Sequence, residues 1–137
     1  MFSSNKPIIQ IAYAVDNIIL AAENWSKRFN IGPFYFNEHI KVAESRINGE
    51  DNIFDHSSAY GWKENFMIEL ICDHSRVNVY DSGIHHIAWI AENFNKESEE
   101  LLKQDCREVL YARAGDRNGM RFAWFDPGKD IGHLYEI

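Results

Sequence analysis

From Ile9 the chain alternates. Ile9, Ile11, Tyr13 and Val15 fall on one set of positions, and Gln10, Ala12 and Ala14 on the other. A period of two is the mark of a strand, whose side chains point to opposite faces in turn. The same alternation returns at His85, with His85, Ile87, Trp89 and Ala91 against His86, Ala88 and Ile90. Overlaying Gln10 on His86, an offset of 76, matches Ile11 with Ile87, Ala12 with Ala88, Tyr13 with Trp89 and Asn17 with Asn93. Further on, MIEL and LYEI match Glu69 with Glu136 at an offset of 67. The second copy is thus nine residues shorter between its strands, a difference that loops absorb cheaply.

Each copy continues alike. DNIILAAENWSKRFNIGP predicts a helix, capped by Asp16 or Asn17, with Ile18, Ala21, Ala22, Trp25 and Phe29 inward and Gly32-Pro33 as its stop. ENFNKESEELLKQDC plays the same part, with Phe94, Ser98, Leu101 and Leu102 inward. Three strands are predicted after each helix: 34–45, 53–61 and 66–72 in the first copy, 108–113, 119–125 and 132–137 in the second. Asn118-Gly119 fits a type I′ hairpin turn. The expected fold class is α+β, two βαβββ modules at about 7–73 and 83–137 in one domain spanning 1–137, joined by the polar linker DHSRVNVYDSG, to which His74 is assigned. A helix is expected over the bulky set of each first strand. The other face carries a polar head and then a small residue, so His86, and not His85, is expected to point into a cavity.

Composition narrows the function. Apolar residues make up 45% of the chain, enough for a packed interior. A formal charge of −7 leaves no basic face for nucleic acid. No apolar run is long enough to cross a bilayer, and MFSSNKPII lacks the hydrophobic stretch of a secretory signal, so a cytoplasmic location is expected. Cys72 and Cys106 form no CxxC and are expected to be reduced. GxGxxG is absent, which removes the dinucleotide-binding fingerprint.

Gln10, Glu69, His86 and Glu136 occupy two pairs of equivalent positions, each heading or interrupting an apolar strand. A carboxylate in such a setting is costly unless paired, hydrogen-bonded or bound to a cation. Two carboxylates, an imidazole and an amide oxygen form a donor set for a divalent metal such as Zn, Ni, Co or Mn. An octahedral ion would keep two positions open for water or substrate. His39, His56, Tyr60, Trp62, Arg113, Arg121 and Trp124 are expected to border the cavity as a substrate pocket.

With QIAYAVDNI, MIEL, HHIAWIA and GHLYEI in a duplicated βαβββ frame, nearly the whole chain resembles the vicinal oxygen chelate superfamily. That superfamily includes glyoxalase I, methylmalonyl-CoA epimerase, extradiol dioxygenases and bleomycin- and fosfomycin-resistance proteins. The segment ENWSKRFNIGPFYF is similar to the epimerase-like branch. The Gln/Glu/His/Glu set is similar to that of eukaryotic glyoxalase I, whereas epimerases usually carry His at the first position. The resemblance implies a half-open barrel, metal ligation by Gln10, Glu69, His86 and Glu136, and a homodimer. It also implies a lyase or isomerase that moves a proton next to the carbonyl of a small carbonyl or thioester substrate through a metal-stabilised enediolate. Glu136 would be the general base, with Glu69 as the alternative. The rival readings are a metal-free binding or sequestering protein of the bleomycin-resistance type and an Fe(II) ring-cleaving dioxygenase.

Overall fold

The computed structural model describes residues 6–80 and 83–137. In chain order the elements are β1 (Gln10–Ala14), α1 (Ile18–Phe29), β2 (Tyr35–Asn37), β3 (Val42–Ile47), β4 (Glu50–Asp51), β5 (His56–Lys63) and β6 (Phe66–Asp73). The second copy supplies β7 (Ile84–Ala88), α2 (Phe94–Lys103), β8 (Arg107–Ala114), β9 (Arg121–Asp126) and β10 (Leu134–Glu136). Among the described residues, all ten strands join one curled mixed sheet in the order β2-β5-β6-β1-β7-β10-β9-β8-β3-β4. This is the half-barrel of two βαβββ modules that the duplication foretells.

At its centre β1 and β7 run antiparallel, with Gln10 opposite Ala88, Ile11 opposite Ile87 and Ala12 opposite His86. Each is flanked by a parallel partner. Ala12 lies opposite Glu69 on β6, and Ala88 lies opposite Glu136 on β10. The pairings are equivalent under the repeat, so a local two-fold runs between Ile11 and Ile87. The two duplicated asparagines are equivalent as well. Asn17 Oδ1 accepts from the amides of Ile19 and Leu20, and Asn93 Oδ1 accepts from that of Lys96, capping the two helices.

The packing is also two-fold. Ile18, Ala22, Ile68 and Leu70 form a core under α1, with Tyr13, Val15 and Trp25 against it. Trp89, Leu101, Ala123, Phe125 and Ile137 form its counterpart under α2. A third core on the concave face contains Ala12, Phe54, Ile71, Leu110, Ala112, Trp124 and Leu134.

Several expectations are corrected. The strand predicted over 34–45 is two strands, because His39 adopts φ 47 and turns the chain. β2 stays on β5, whereas β3 crosses to the second copy and pairs with β8, placing Ser45 opposite Ala112. It then doubles back as β4 through Asn48 and Gly49, both at positive φ. In α2 Leu102 is exposed and Glu97 is buried. Successive helical residues diverge by about 100°, so Leu101 and Leu102 do not both face inward. Glu97 tolerates burial by accepting from the amides of Glu92 and Asn93 and the indole of Trp89, and by pairing with Lys6. Phe29, expected inward at the end of α1, is 51% exposed with its ring against Trp25.

The β8–β9 connection is not a type I′ turn. The Gly119 amide bonds the Asp116 carbonyl, so Arg117 and Asn118 are the central residues, and neither has positive φ. Both cysteines are free, as expected. No helix among the described residues is long and apolar enough to cross a membrane. The linker is tied down where it starts, with Asp73 Oδ2 accepting from the amides of Val77 and Asn78. Its residues 81–82 lie outside the described residues.

Candidate metal and active site

Strand parity brings Gln10 of β1, Glu69 of β6, His86 of β7 and Glu136 of β10 to the concave face. Ala12 and Ala88 lie between them and are almost fully buried, so the donors rise around a floor of two methyl groups. His86 Nε2 is the point of convergence. It lies 3.0 Å from Gln10 Nε2, 3.2 Å from Glu69 Oε2 and 3.4 Å from Glu136 Oε2. Gln10 Nε2 also donates to Glu69 Oε2.

A further set of side chains orients the four. Ser58 Oγ donates to Glu69 Oε1 at 2.6 Å, and Trp124 Nε1 donates to Glu136 Oε2 at 2.6 Å. The other nitrogen of His86, Nδ1, lies 2.9 Å from His85 Nδ1, which leaves Nε2 facing the carboxylates. That contact corrects the expectation for His85. The β1–β7 register shifts between Ala12 and Tyr13, so that Ala12 meets His86 and Tyr13 meets Ile84. His85 is the extra residue of a bulge, and a bulge re-aims side chains. Its ring turns inward, 4.6 Å from that of Trp124, with Nε2 3.8 Å from Asp73 Oδ2.

The two glutamates experience different surroundings. The Glu69 side chain is 5% exposed and that of Glu136 is 20% exposed. Burial pushes Glu69 up, but the hydrogen bond and charge of His86, with the Ser58 hydroxyl, hold it below the usual carboxylate range. For Glu136, burial and the neighbouring Glu69 charge prevail over His86 and the Trp124 donor, and its affinity for a proton rises. Burial disfavours charge on His86, yet Glu136 and Glu69 outweigh it and raise this imidazole above its ordinary value. Half-buried Tyr60 is raised by desolvation and then by the Glu69 charge, so its phenol stays neutral.

A cavity of about 230 Å³ opens over Gln10, Glu69 and Glu136. Of the residues proposed from sequence to border it, His56, Tyr60 and Trp124 do so. The other four lie elsewhere. Trp62, at the far end of β5, is 42% exposed and packs edge-on to Tyr35. Arg121 lies over the Phe94 ring and donates to Asn95, and Arg113 donates to Glu44 and the Gly119 carbonyl. Arg121 and Trp124 are three apart on β9, so alternation sends them to opposite faces. His39 belongs to the outer rim of the sheet. The sequence reading missed Asn37, Ile40, Met67, Met120 and Phe122, which also border the cavity, and Ser58. Ser58 shares its parity with His56 and Tyr60, which was the available signal.

Against known proteins, residues 9–124 match the model of the Glyoxalase/Bleomycin resistance protein/Dioxygenase superfamily. The chain belongs to this superfamily. No curated protein matches it by sequence. Among solved structures of the same fold, a hypothetical protein from Bacillus halodurans superposes with a TM-score of 0.62 at 18% identity, covering 97% of this chain and 93% of that one. Methylmalonyl-CoA epimerase from Mycobacterium tuberculosis superposes at 0.56 and 14% identity, covering 98% and 90%. The methylmalonyl-CoA epimerase of Streptomyces coelicolor, as a single-residue variant in complex with 2-nitronate-propionyl-CoA, gives 0.56 and 14%, covering 97% and 96%.

Proposed function

We propose that this superfamily member is a metal-dependent isomerase or lyase that moves a proton next to the carbonyl of a small substrate. Gln10, Glu69, His86 and Glu136 would hold the metal, and Glu136 would move the proton. The supporting observation is that Gln10, Glu69 and Glu136, drawn from both copies of the repeat, come within 3.0–3.4 Å of His86 Nε2 and line the open cavity beside it. Donors about 2.0–2.2 Å from a shared ion stand roughly 3 Å apart. His86 Nε2 already stands 3.0–3.4 Å from the other three groups. Glu69 and Glu136 are not close enough to each other in this arrangement and would draw together on the ion. Two carboxylates balance a divalent charge, and the oxygen and nitrogen donors suit Zn, Ni, Co or Mn. Rotating the Gln10 amide by half a turn presents its oxygen. A divalent cation bound there supplies Lewis-acid stabilisation of the negative charge that develops on a carbonyl oxygen.

The protein residues account for the remaining steps. Glu69 is fixed by Ser58 and His86 and favours its ionised form, which suits a permanent ligand. Glu136 is the more accessible carboxylate and the one with raised proton affinity. A site that pushes two carboxylates apart in this way gives the proton-transfer role to one of them. Trp124 positions the Glu136 oxygen through its indole N–H. Ile40, Met67, Phe122 and Trp124 supply apolar walls that exclude water from a carbanion centre. The volume admits a small carbonyl compound or the acyl end of a thioester, in keeping with the CoA esters in the epimerase structures. Pairing into a homodimer is part of the same proposal, with sedimentation velocity as its check.

The test is solvent exchange. Protein loaded with Zn, Ni, Co or Mn is incubated in D₂O with methylmalonyl-CoA or with a 2-oxoaldehyde hemithioacetal, and loss of the α-proton signal is followed by NMR. Exchange is expected with metal and is abolished by EDTA and by His86→Ala. Glu136→Gln should slow it by about 10²–10⁴-fold, the usual contribution of a positioned base. A substrate that binds equally well with EDTA, without exchange, would instead establish a sequestering role.

A further inference from the structure

A second group of metal-ligating side chains lies outside this site. Among the described residues, His39, Asp55 and His74 bring one donor atom each to within 4.8 Å of one another. They come from neighbouring strand ends. His39 follows β2, Asp55 precedes β5 and His74 follows β6. Because β2 pairs antiparallel with β5, and β5 with β6, these three ends meet at one edge of the sheet. Along β5 the two sites alternate. His56, Ser58 and Tyr60 face the cavity, while Asp55 and Ser57 face the rim.

We propose that His39, Asp55 and His74 form a second metal site, suited to Zn²⁺ or a similar borderline cation. Backbone hydrogen bonds fix His39 and Asp55 without using their ligand atoms. The His39 amide donates to Ser57 Oγ at 2.9 Å, and Ile40 N donates to the His56 carbonyl at 2.8 Å. The Asp55 amide donates to Ser75 Oγ at 2.8 Å. His39 holds φ 47, a left-handed conformation uncommon outside glycine, though histidine, like Asn and Asp, is enriched there. The His39 ring stacks on that of His74, with centroids 4.5 Å apart and planes 17° from parallel, so that one ring would turn about its Cβ–Cγ bond for both in-plane lone pairs to meet on an ion. His39 Nδ1 lies 2.9 and 3.0 Å from the two oxygens of Asp55, close to the separation of two donors on one small cation.

A neighbouring hydroxyl orients one of the rings. Ser57 Oγ lies 2.8 Å from His74 Nε2. Two imidazoles and one carboxylate favour Zn²⁺ over Mg²⁺ or Ca²⁺, which take oxygen. Bound there, the ion would pin the ends of three strands, one of which carries Glu69. This site does not depend on the proposed reaction.

Zinc stoichiometry tests it. The full chain is stripped with chelator, titrated with ZnCl₂ by calorimetry, and analysed for zinc retained after desalting. Wild type is expected to bind two equivalents. His86→Ala removes the cavity site and leaves one, whereas His39→Asn and His74→Gln each leave the cavity ion and weaken the rim ion by at least about tenfold. Asparagine is chosen at 39 because it accepts positive φ. Asp55→Asn, which leaves the His39 backbone untouched, is the second variant, and circular dichroism checks the fold of each. Rim variants that bind as much zinc as wild type, with equal affinity, overturn the proposal. Loss of zinc in the rim variants but not in His86→Ala would leave the rim site standing and remove the cavity site instead.

Discussion

His56 shows how one buried side chain links the site to stability. It stacks on Phe54 at 4.5 Å, borders the cavity, and its Nδ1 has no hydrogen-bond partner among the described residues. Burial drives its pKa down to about 4, with the charges of Glu69, Asp73 and Asp55 pulling weakly the other way. The folded value lies below the ordinary 6.5, so the fold prefers the neutral ring. That contribution is complete above about pH 6.5 and is lost as pH falls toward 4, by about 3 kcal/mol in all. In denaturant titrations at pH 7 and pH 4.5, His56→Phe should show a smaller fall in stability than wild type. Equal falls would remove the assignment. His56 was legible as a pocket residue because it shares strand parity with Ser58 and Tyr60. Gln10, Glu69, His86 and Glu136 were legible for a stronger reason, since the repeat registers them twice. Arg113 and Arg121 were placed because their strands border the cavity, and alternation along β9 already set Arg121 against Trp124.

At the level of elements, the turn between β8 and β9 depends on the absence of one side chain. A Cβ on Gly119 would come within 1.6 Å of the Ala114 carbonyl oxygen. Backbone must move to relieve this, so Gly119→Ala is expected to destabilise by about 1–3 kcal/mol. For a chain of this size the melting temperature should fall by roughly 3–10 °C, read by calorimetry. A change under one degree would mean the turn yields freely. The loss would reach the site through β9, which carries Trp124 and with it the donor to Glu136. Helices, first strands and the duplication could be read from periodicity. Two features could not. The bulge at His85 adds a residue to a strand whose alternation looks regular, so the sequence predicts the wrong face for that ring. The departure of β3 from β2 depends on a left-handed residue at His39, and histidine's enrichment in that conformation is too weak a signal to place the turn.

For the molecule as a whole, the crossing of β3 matters most. The sheet ends at β2, three residues long, and β4, two residues long, and short edges resist pairing with other chains. The second copy reaches that protected end only because β3, contributed by the first, covers β8. Severed in the linker between Asp73 and Gly83, the chain would give two pieces that each lack something. The C-terminal piece would present β8 as a bare, pairable edge, and the N-terminal piece would carry β3 with nothing to grip. Fragments 1–80 and 83–137 should therefore be poorly ordered or self-associating apart, and should recover native circular dichroism when mixed. Independent folding of either one would count against this. A protein written as two copies of one unit has, through a single borrowed strand, become impossible to halve.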